Sequence, residues 1–272
     1  MYGFGYGLTM RSRRAGGFSP VSDLFGSGEQ GYIIPWLPGT VWKDTARTVP
    51  CTAHDDLIAC ADDISGNGNH YIQSVQSKRF KWQTDGTYYW ALPDAFDDFM
   101  STVSSVPLSA SDKLTVWAGF RKLSEAAVSV IWDTSPTTIT NNGSIAFVVP
   151  TAVNSGQISF SGRGTGLGGQ NTTALASAPL TLVASCVYDI AGASLATEIM
   201  PRINGAVPPL VPAGSSLGSG NFGNYTHYIG GRSGTSLFFN GRIGPLIARG
   251  GATSAALIAA TEQWVNSKTG AF

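Results

Sequence analysis

From residue 32 onward, short runs of β-branched and aromatic residues alternate with clusters of Gly, Asn, Pro and Ser. That is the pattern of strands punctuated by turns. The runs predict strands over 70–74, 87–92, 113–121, 127–133, 144–149, 157–162, 180–189, 198–203, 226–229, 236–240 and 241–248. The segment 113–121 is the clearest. Leu114, Val116, Ala118 and Phe120 share one phase, and Thr115, Trp117, Gly119 and Arg121 the other. A strand there has one strongly apolar face. Turns at intervals of roughly 10 to 15 residues predict an antiparallel β-sandwich.

One long helix is predicted, near the C-terminus. Leu257, Ile258, Thr261, Trp264, Val265 and Lys268 recur at helical spacing. Thr253 or Ser254 caps its start and Gly270 is placed to end it. Its expected role is to cover the sandwich. A shorter helix or turn is expected over 54–61. The Gly-rich stretches 161–173 and 211–225 lack the apolar period of an element and read as loops.

Residues 1–31 differ from the rest. Gly alternates with aromatics, then Arg11, Arg13 and Arg14 follow, then more Gly and Ser. No helix or strand period runs through them. Aromatics and Arg carry binding energy at interfaces. The segment therefore reads as an extended docking arm that lies on another subunit. Its anchors are Tyr2, Phe4, Tyr6, Phe18, Leu24 and Phe25, with the three arginines. The sandwich is assigned to 32–272.

Composition narrows the classes. The 272 residues carry 17 Lys and Arg against 17 Asp and Glu, and charged residues are only 12% of the chain. A neutral surface of that kind does not attract phosphate, so nucleic acid is not an expected partner. No run approaches the length of apolar residues that spans a membrane as a helix, so no membrane partner is expected. The start places its arginines after the apolar residues, unlike a secretory signal. So little surface charge gives weak protection against association, so a homo-oligomer is expected. Cys51, Cys60 and Cys186 are an odd set. Cys51 and Cys60 could close a small loop in an oxidising compartment, but three reduced or buried thiols is the simpler reading.

Four pieces together carry a resemblance. They are DDISGNGNHY at 62–71, WALPDAFDDFM at 90–100 preceded by WQTDG, YIGGRSGTSLFFNGRIGPLIARG at 228–250, and the closing helical segment. In this order the chain resembles the concanavalin A-like lectin/glucanase (laminin-G-like) sandwich of tailed-bacteriophage virion proteins. The resemblance covers 32–272 and implies an all-β antiparallel β-sandwich, a concanavalin A-like jelly roll, with one C-terminal helix. Residues 1–31 resemble the leader segments of phage structural proteins. One departure is Pro93-Asp94-Ala95-Phe96, where the family commonly has a Phe-Asp-Gly turn.

Several kinds of chemistry were weighed. Residues 41–100 hold nine Asp against five Lys and Arg. Asp62, Asp63, Asn67 and Asn69 concentrate oxygens of the sort calcium takes, and the resemblance permits calcium beside a ligand loop. Equally, Asp and Asn cap turns with their own backbone. Glycoside hydrolysis needs paired carboxylates, and the four glutamates, Glu29, Glu125, Glu198 and Glu262, lie far apart in sequence. No nucleophile elbow surrounds a serine, and His54, His70 and His227 read as structural. No enzyme is expected and no catalytic residue is assigned. Sugars stack on rings and present hydroxyls to polar groups. Tyr88, Trp90, Asp97, Asp98, Arg232 and Asn240 are the candidate carbohydrate-binding set.

The leading expectation is a non-enzymatic structural protein of a tailed-phage virion, as capsid decoration or tail-fibre component, assembled in the bacterial host cytoplasm. Its partners would be other virion proteins, bound through residues 1–31. The alternative is a host-glycan-binding adhesin module. A glycan hydrolase ranks third.

Overall fold

The alternation in 113–121 is realised as strand Lys113–Lys122. Its Leu114, Val116, Ala118 and Phe120 enter the main core, while Trp117 turns to the opposite side. The computed structural model describes residues 17–135, 137 and 140–272. Around this strand lies one antiparallel sheet. Its order is Ile199–Ile203, Leu180–Asp189, Lys113–Lys122, Gly241–Gly250, Tyr89–Leu92, Lys81–Thr84 and Asp56–Leu57. Gly31–Ile34 also pairs with Gly241–Gly250, opposite Leu246–Arg249. The second sheet has ten strands. Its order is Val211–Ala213, Gly168–Ala174, Gln157–Arg163, Ser144–Val148, Val130–Asp133, Tyr228–Ile229, Met100–Thr102, Tyr71–Ile72, Cys60–Ala61 and Val41–Trp42. The two sheets face each other across one apolar core. The helix Ala255–Asn266 lies on the outer side of the eight-stranded sheet, with Ser254 accepting a hydrogen bond from the Leu257 amide as its cap. The protein is thus the β-sandwich with a C-terminal helix that its periodicity predicts.

A polar node sits inside the core. The Tyr32 hydroxyl accepts from the Tyr71 hydroxyl at 2.8 Å and from the Trp132 indole at 2.6 Å. It lies 3.0 Å from His227 Nδ1, to which its remaining proton is directed. All four residues are fully buried. Tyr32 comes from the eight-stranded sheet and the other three from or beside the ten-stranded one. Burial pushes the His227 imidazole down to about 3, so it is neutral at any ordinary pH.

The segment before residue 32 departs from the extended arm. Pro20–Phe25 is a short helix. Leu24 and Phe25 are buried with Ile33, Trp117, Val183, Ile247 and Val265, and Phe18 packs against that cluster. These outer-face residues of the sheet are too apolar to leave in water, and the C-terminal helix covers only part of them. Arg249 fixes the segment, donating to the Leu24 carbonyl and pairing with Glu29, each at 2.7 Å. Phe18 and Phe25, expected to touch a partner, therefore dock within their own chain. Tyr2, Phe4, Tyr6, Arg11, Arg13 and Arg14 lie outside the described residues.

Other expectations also shift. The 54–61 segment forms strands Asp56–Leu57 and Cys60–Ala61 rather than a helix, because Ile58 donates to the Phe80 carbonyl and extends the sheet edge. The 236–240 run is not a strand, since Leu237 takes a left-handed φ of 51°. The 161–173 loop is a hairpin, described below. All three cysteines are free and buried, and burial pushes Cys51 and Cys60 up to about 12.

The turn at 93–99 passes through the left-handed region without a Gly. Ala95 stands there at φ 67°, a conformation that disfavours a Cβ. Asp94 Oδ1 accepts from the amides of Phe96, Asp97 and Asp98, and Asp98 Oδ2 accepts from the Asp94 amide. Asp98 is only 4% exposed. Burial and the neighbouring Asp94 charge raise its carboxyl to about 7.

Two predictions follow from the core and this turn. Tyr32→Phe strands the partners of the node and should lower the unfolding free energy by about 2–4 kcal/mol in urea titrations. The pH profile tests the second. Between about pH 3 and 6.5 the unfolded chain holds a proton on His227 that the folded chain lacks, so stability rises with pH. Between the ordinary carboxylate value and about pH 7 the folded chain holds the extra proton on Asp98, so stability falls with pH. The two slopes oppose each other. Asp98→Asn removes the second, and its stability should climb by up to about 1.4 kcal/mol per pH unit more steeply than the parent's between pH 4 and 6.5.

Candidate functional site

The outer face of the ten-stranded sheet carries a cleft of about 580 Å³. Strand alternation builds its floor. Ile145, Phe147, Ile158 and Phe160 point into the core, so Ala146, Val148, Ser159 and Ser161 point out. The hairpin of Gln157–Arg163 and Gly168–Ala174 extends the floor through Gln170. This is the stretch whose glycines read as a loop. Gly166 does stand in the hairpin turn, at φ 77°, but Gly169 serves packing. A Cβ on Gly169 would lie 2.4 Å from Leu195 Cδ2 beneath the sheet. Arg232 and Leu237, from the 230–239 connection, and Ala213 and Gly214, from the end of Val211–Ala213, also line the cleft.

Its chemistry is an apolar base with polar groups around it. Gln170 Oε1 accepts from the Ser159 hydroxyl at 3.1 Å and the Ser161 hydroxyl at 3.5 Å. That orients the amide and leaves its NH2 without a partner among the described residues. The Arg232 guanidinium likewise makes no hydrogen bond or ion pair among the described residues. Asp133, fully buried, accepts from the Ser135 amide. Burial and the Asp133 charge raise the Tyr228 hydroxyl. Asp133 is the one carboxylate among the described lining residues, whereas hydrolysis by paired acids uses two. The arrangement can hold a neutral polyhydroxylated molecule by hydrogen bonds.

The six residues expected to bind carbohydrate do not share one site. Arg232 lines this cleft. Tyr88 and Trp90 line a second cavity, on the outer side of the other sheet. Asp97 and Asp98 belong to the 93–99 turn, where Asp97 lies 3.9 Å from Lys78. Asn240 is exposed, its carbonyl accepting from the Leu123 amide. Gln170, Ser161 and Arg163 were missed because their stretch lacks apolar alternation.

Of the groups considered for calcium at 62–69, the two carboxylates are engaged with protein donors and the two Asn side chains donate to backbone carbonyls. Asp63 accepts from the amides of Ile33, Ser65 and Asn69 and from the Ser65 hydroxyl. Asp62 accepts from the Trp42 indole at 2.7 Å and lies 3.3 Å from Arg47. The Asn67 and Asn69 amides both donate to the Gly31 carbonyl. This turn clamps the start of Gly31–Ile34, where Gly31 has φ 132° and no room for a Cβ against the Ala248 carbonyl. The acids that do converge are Asp94, Asp97 and Asp98, with carboxylate oxygens within 4.8 Å of one another.

No protein-family model matches the chain, and no curated protein matches it. Solved structures do. A structure of botulinum neurotoxin type C, whose cell entry depends on interaction with two ganglioside molecules, aligns with a TM-score of 0.57 at 10% identity. It covers 90% of this chain and 52% of that one. The binding domain of botulinum neurotoxin serotype D/C aligns with a TM-score of 0.52 at 10% identity, covering 90% and 53%. The CBM40 module of the Ruminococcus gnavus IT-sialidase aligns with a TM-score of 0.42 at 16% identity, covering 57% and 84%. The chain spans about half the length of the two toxin structures. At such identities the likeness is one of fold, a two-sheet antiparallel β-sandwich.

Proposed function

We propose that the protein is a carbohydrate-binding module that holds a neutral glycan in the cleft of the ten-stranded sheet. The observation that carries this is the pair of donors facing the cleft without a partner among the described residues, the Gln170 amide and the Arg232 guanidinium. They stand over an apolar floor of Ala146 and Val148. A few placed polar groups on an apolar surface are the usual composition of a small-ligand site. The fold adds support for glycan binding as such, since the similar botulinum neurotoxin type C interacts with gangliosides; the neutral character of the glycan rests on the cleft's own lining.

The module is read as part of a tailed-phage particle, with residues 1–16 as the remaining docking arm. Support for that comes from the sequence resemblance and from the aromatic and arginine residues Tyr2, Phe4, Tyr6, Arg11, Arg13 and Arg14. In the full chain, replacing Tyr2, Phe4 and Tyr6 together by Ser should abolish incorporation into particles while leaving the melting temperature unchanged. Unchanged incorporation would overturn the docking role.

A glycan array followed by calorimetry tests the cleft. The expected result is a neutral oligosaccharide bound by the full chain, with Gln170→Ala and Arg232→Ala each weakening it about tenfold or more. If both variants bind as the parent does, the cleft is not the site.

A further inference from the structure

The second cavity, about 230 Å³, lies on the outer side of the eight-stranded sheet beyond the end of the C-terminal helix. Strand phase puts two arginines there. Arg121 ends the alternation that buries Phe120, and Arg242 precedes the buried Ile243. The strands pair so that Arg121 and Arg242 stand directly opposite one another. Like charges in that position repel. Lys268, just past the helix, adds a third cation to the same cavity.

The described chain neutralises them only in part, with one carboxylate, Asp85, among the lining residues. Arg121 Nε is buried and has no hydrogen-bond partner. None of the three cations lies in an ion pair among the described residues. Asp85 lines the same cavity and its charge acts on Arg242, while its Oδ1 accepts from the amides of Thr87 and Tyr88. The last carbonyls of the helix are also occupied, by the amides of Ser267, Lys268, Thr269 and Gly270. Arg242 is held in place by stacking on Trp90, 4.2 Å from the ring centroid, and Trp90 is fixed in turn by its indole bond to Gln83. Burial, and after it the charge of Arg121, lowers the Arg242 guanidinium from its ordinary value. Three cations against one carboxylate leave the cavity with net positive charge, which suits an external anion.

We propose that this cavity binds the carboxylate of an acidic sugar. Arg121 and Arg242 receive the carboxylate, and Lys268 adds charge. The Tyr88 and Thr181 hydroxyls, which line the same cavity, meet the ring hydroxyls. The site is separate from the cleft, on the opposite sheet, so either reading can fail without the other.

The test is calorimetry on the full chain with intrinsic tryptophan fluorescence as a second readout. The probes are methyl glucuronide, the methyl glycoside of N-acetylneuraminic acid, neutral methyl glucoside and sodium sulfate. An acidic glycoside should bind at least about tenfold tighter than both methyl glucoside and sulfate, and added NaCl should weaken it. Arg121→Gln and Lys268→Gln should each reduce that binding about tenfold, and Gln170→Ala should leave it unchanged. Without ligand, Arg121→Gln should melt no lower than the parent, because a repulsion has been removed. Equal binding of acidic and neutral glycosides overturns the proposal. Sulfate binding as tight as either acidic glycoside also overturns it, since the cavity would then read only charge. So does the absence of any binding.

Discussion

The Tyr32 hydroxyl is the point on which the sandwich turns. A core between two sheets is held mainly by apolar contact, which has no direction. One hydroxyl that engages Tyr71, Trp132 and His227 at once supplies direction. It fixes the register of Gly31–Ile34 against the opposite sheet, because a slip of one residue would carry Tyr32 to the other face. Around it, Asn67, Asn69 and Asp63 grip the same strand from its flank. A four-residue strand is thereby secured from the sheet, the core and the 62–70 turn.

Much of this was readable in the chain. The 113–121 alternation names both its core face and its outer face, and the structure follows it residue by residue. The helix cap at Ser254 was also legible. What failed was the reading of glycine. In 161–173 glycine looks like punctuation, yet Gly169 is a strand residue pressed on Leu195. A sequence shows that a side chain is missing, not what fills the space. The segment before residue 32 failed for a related reason. Phe18, Leu24 and Phe25 announce a need for burial, but not whether the surface that meets it belongs to the same chain.

The sites were legible only in parts. Arg232, Tyr88 and Trp90 could be picked out as polar or aromatic groups suited to sugar, but alternation alone could not assign them to opposite sheets. Arg121 and Arg242 each occupy an outward phase that the sequence displays. Their meeting depends on strand pairing across more than a hundred residues, and no local pattern encodes it. The Asp62–Asn69 turn shows the converse. Its oxygen-rich composition suits a cation, and nearby backbone amides hold the Asp63 carboxylate in particular.

The clamp of Arg249 on Leu24 and Glu29 has a mechanical side. A force applied through the residues ahead of Gly17 meets the buried Leu24 and Phe25 first, then the Arg249 contacts, and only afterwards the ladder of Gly31–Ile34 on Leu246–Arg249. Tension therefore enters at the helix-covered side of the eight-stranded sheet. The cleft sheet meets that entry point through the core and through the 62–70 turn, whose Asn67 and Asn69 hold the Gly31 carbonyl. The load therefore reaches the eight-stranded sheet first and the cleft strands, farther along the other sheet, after it.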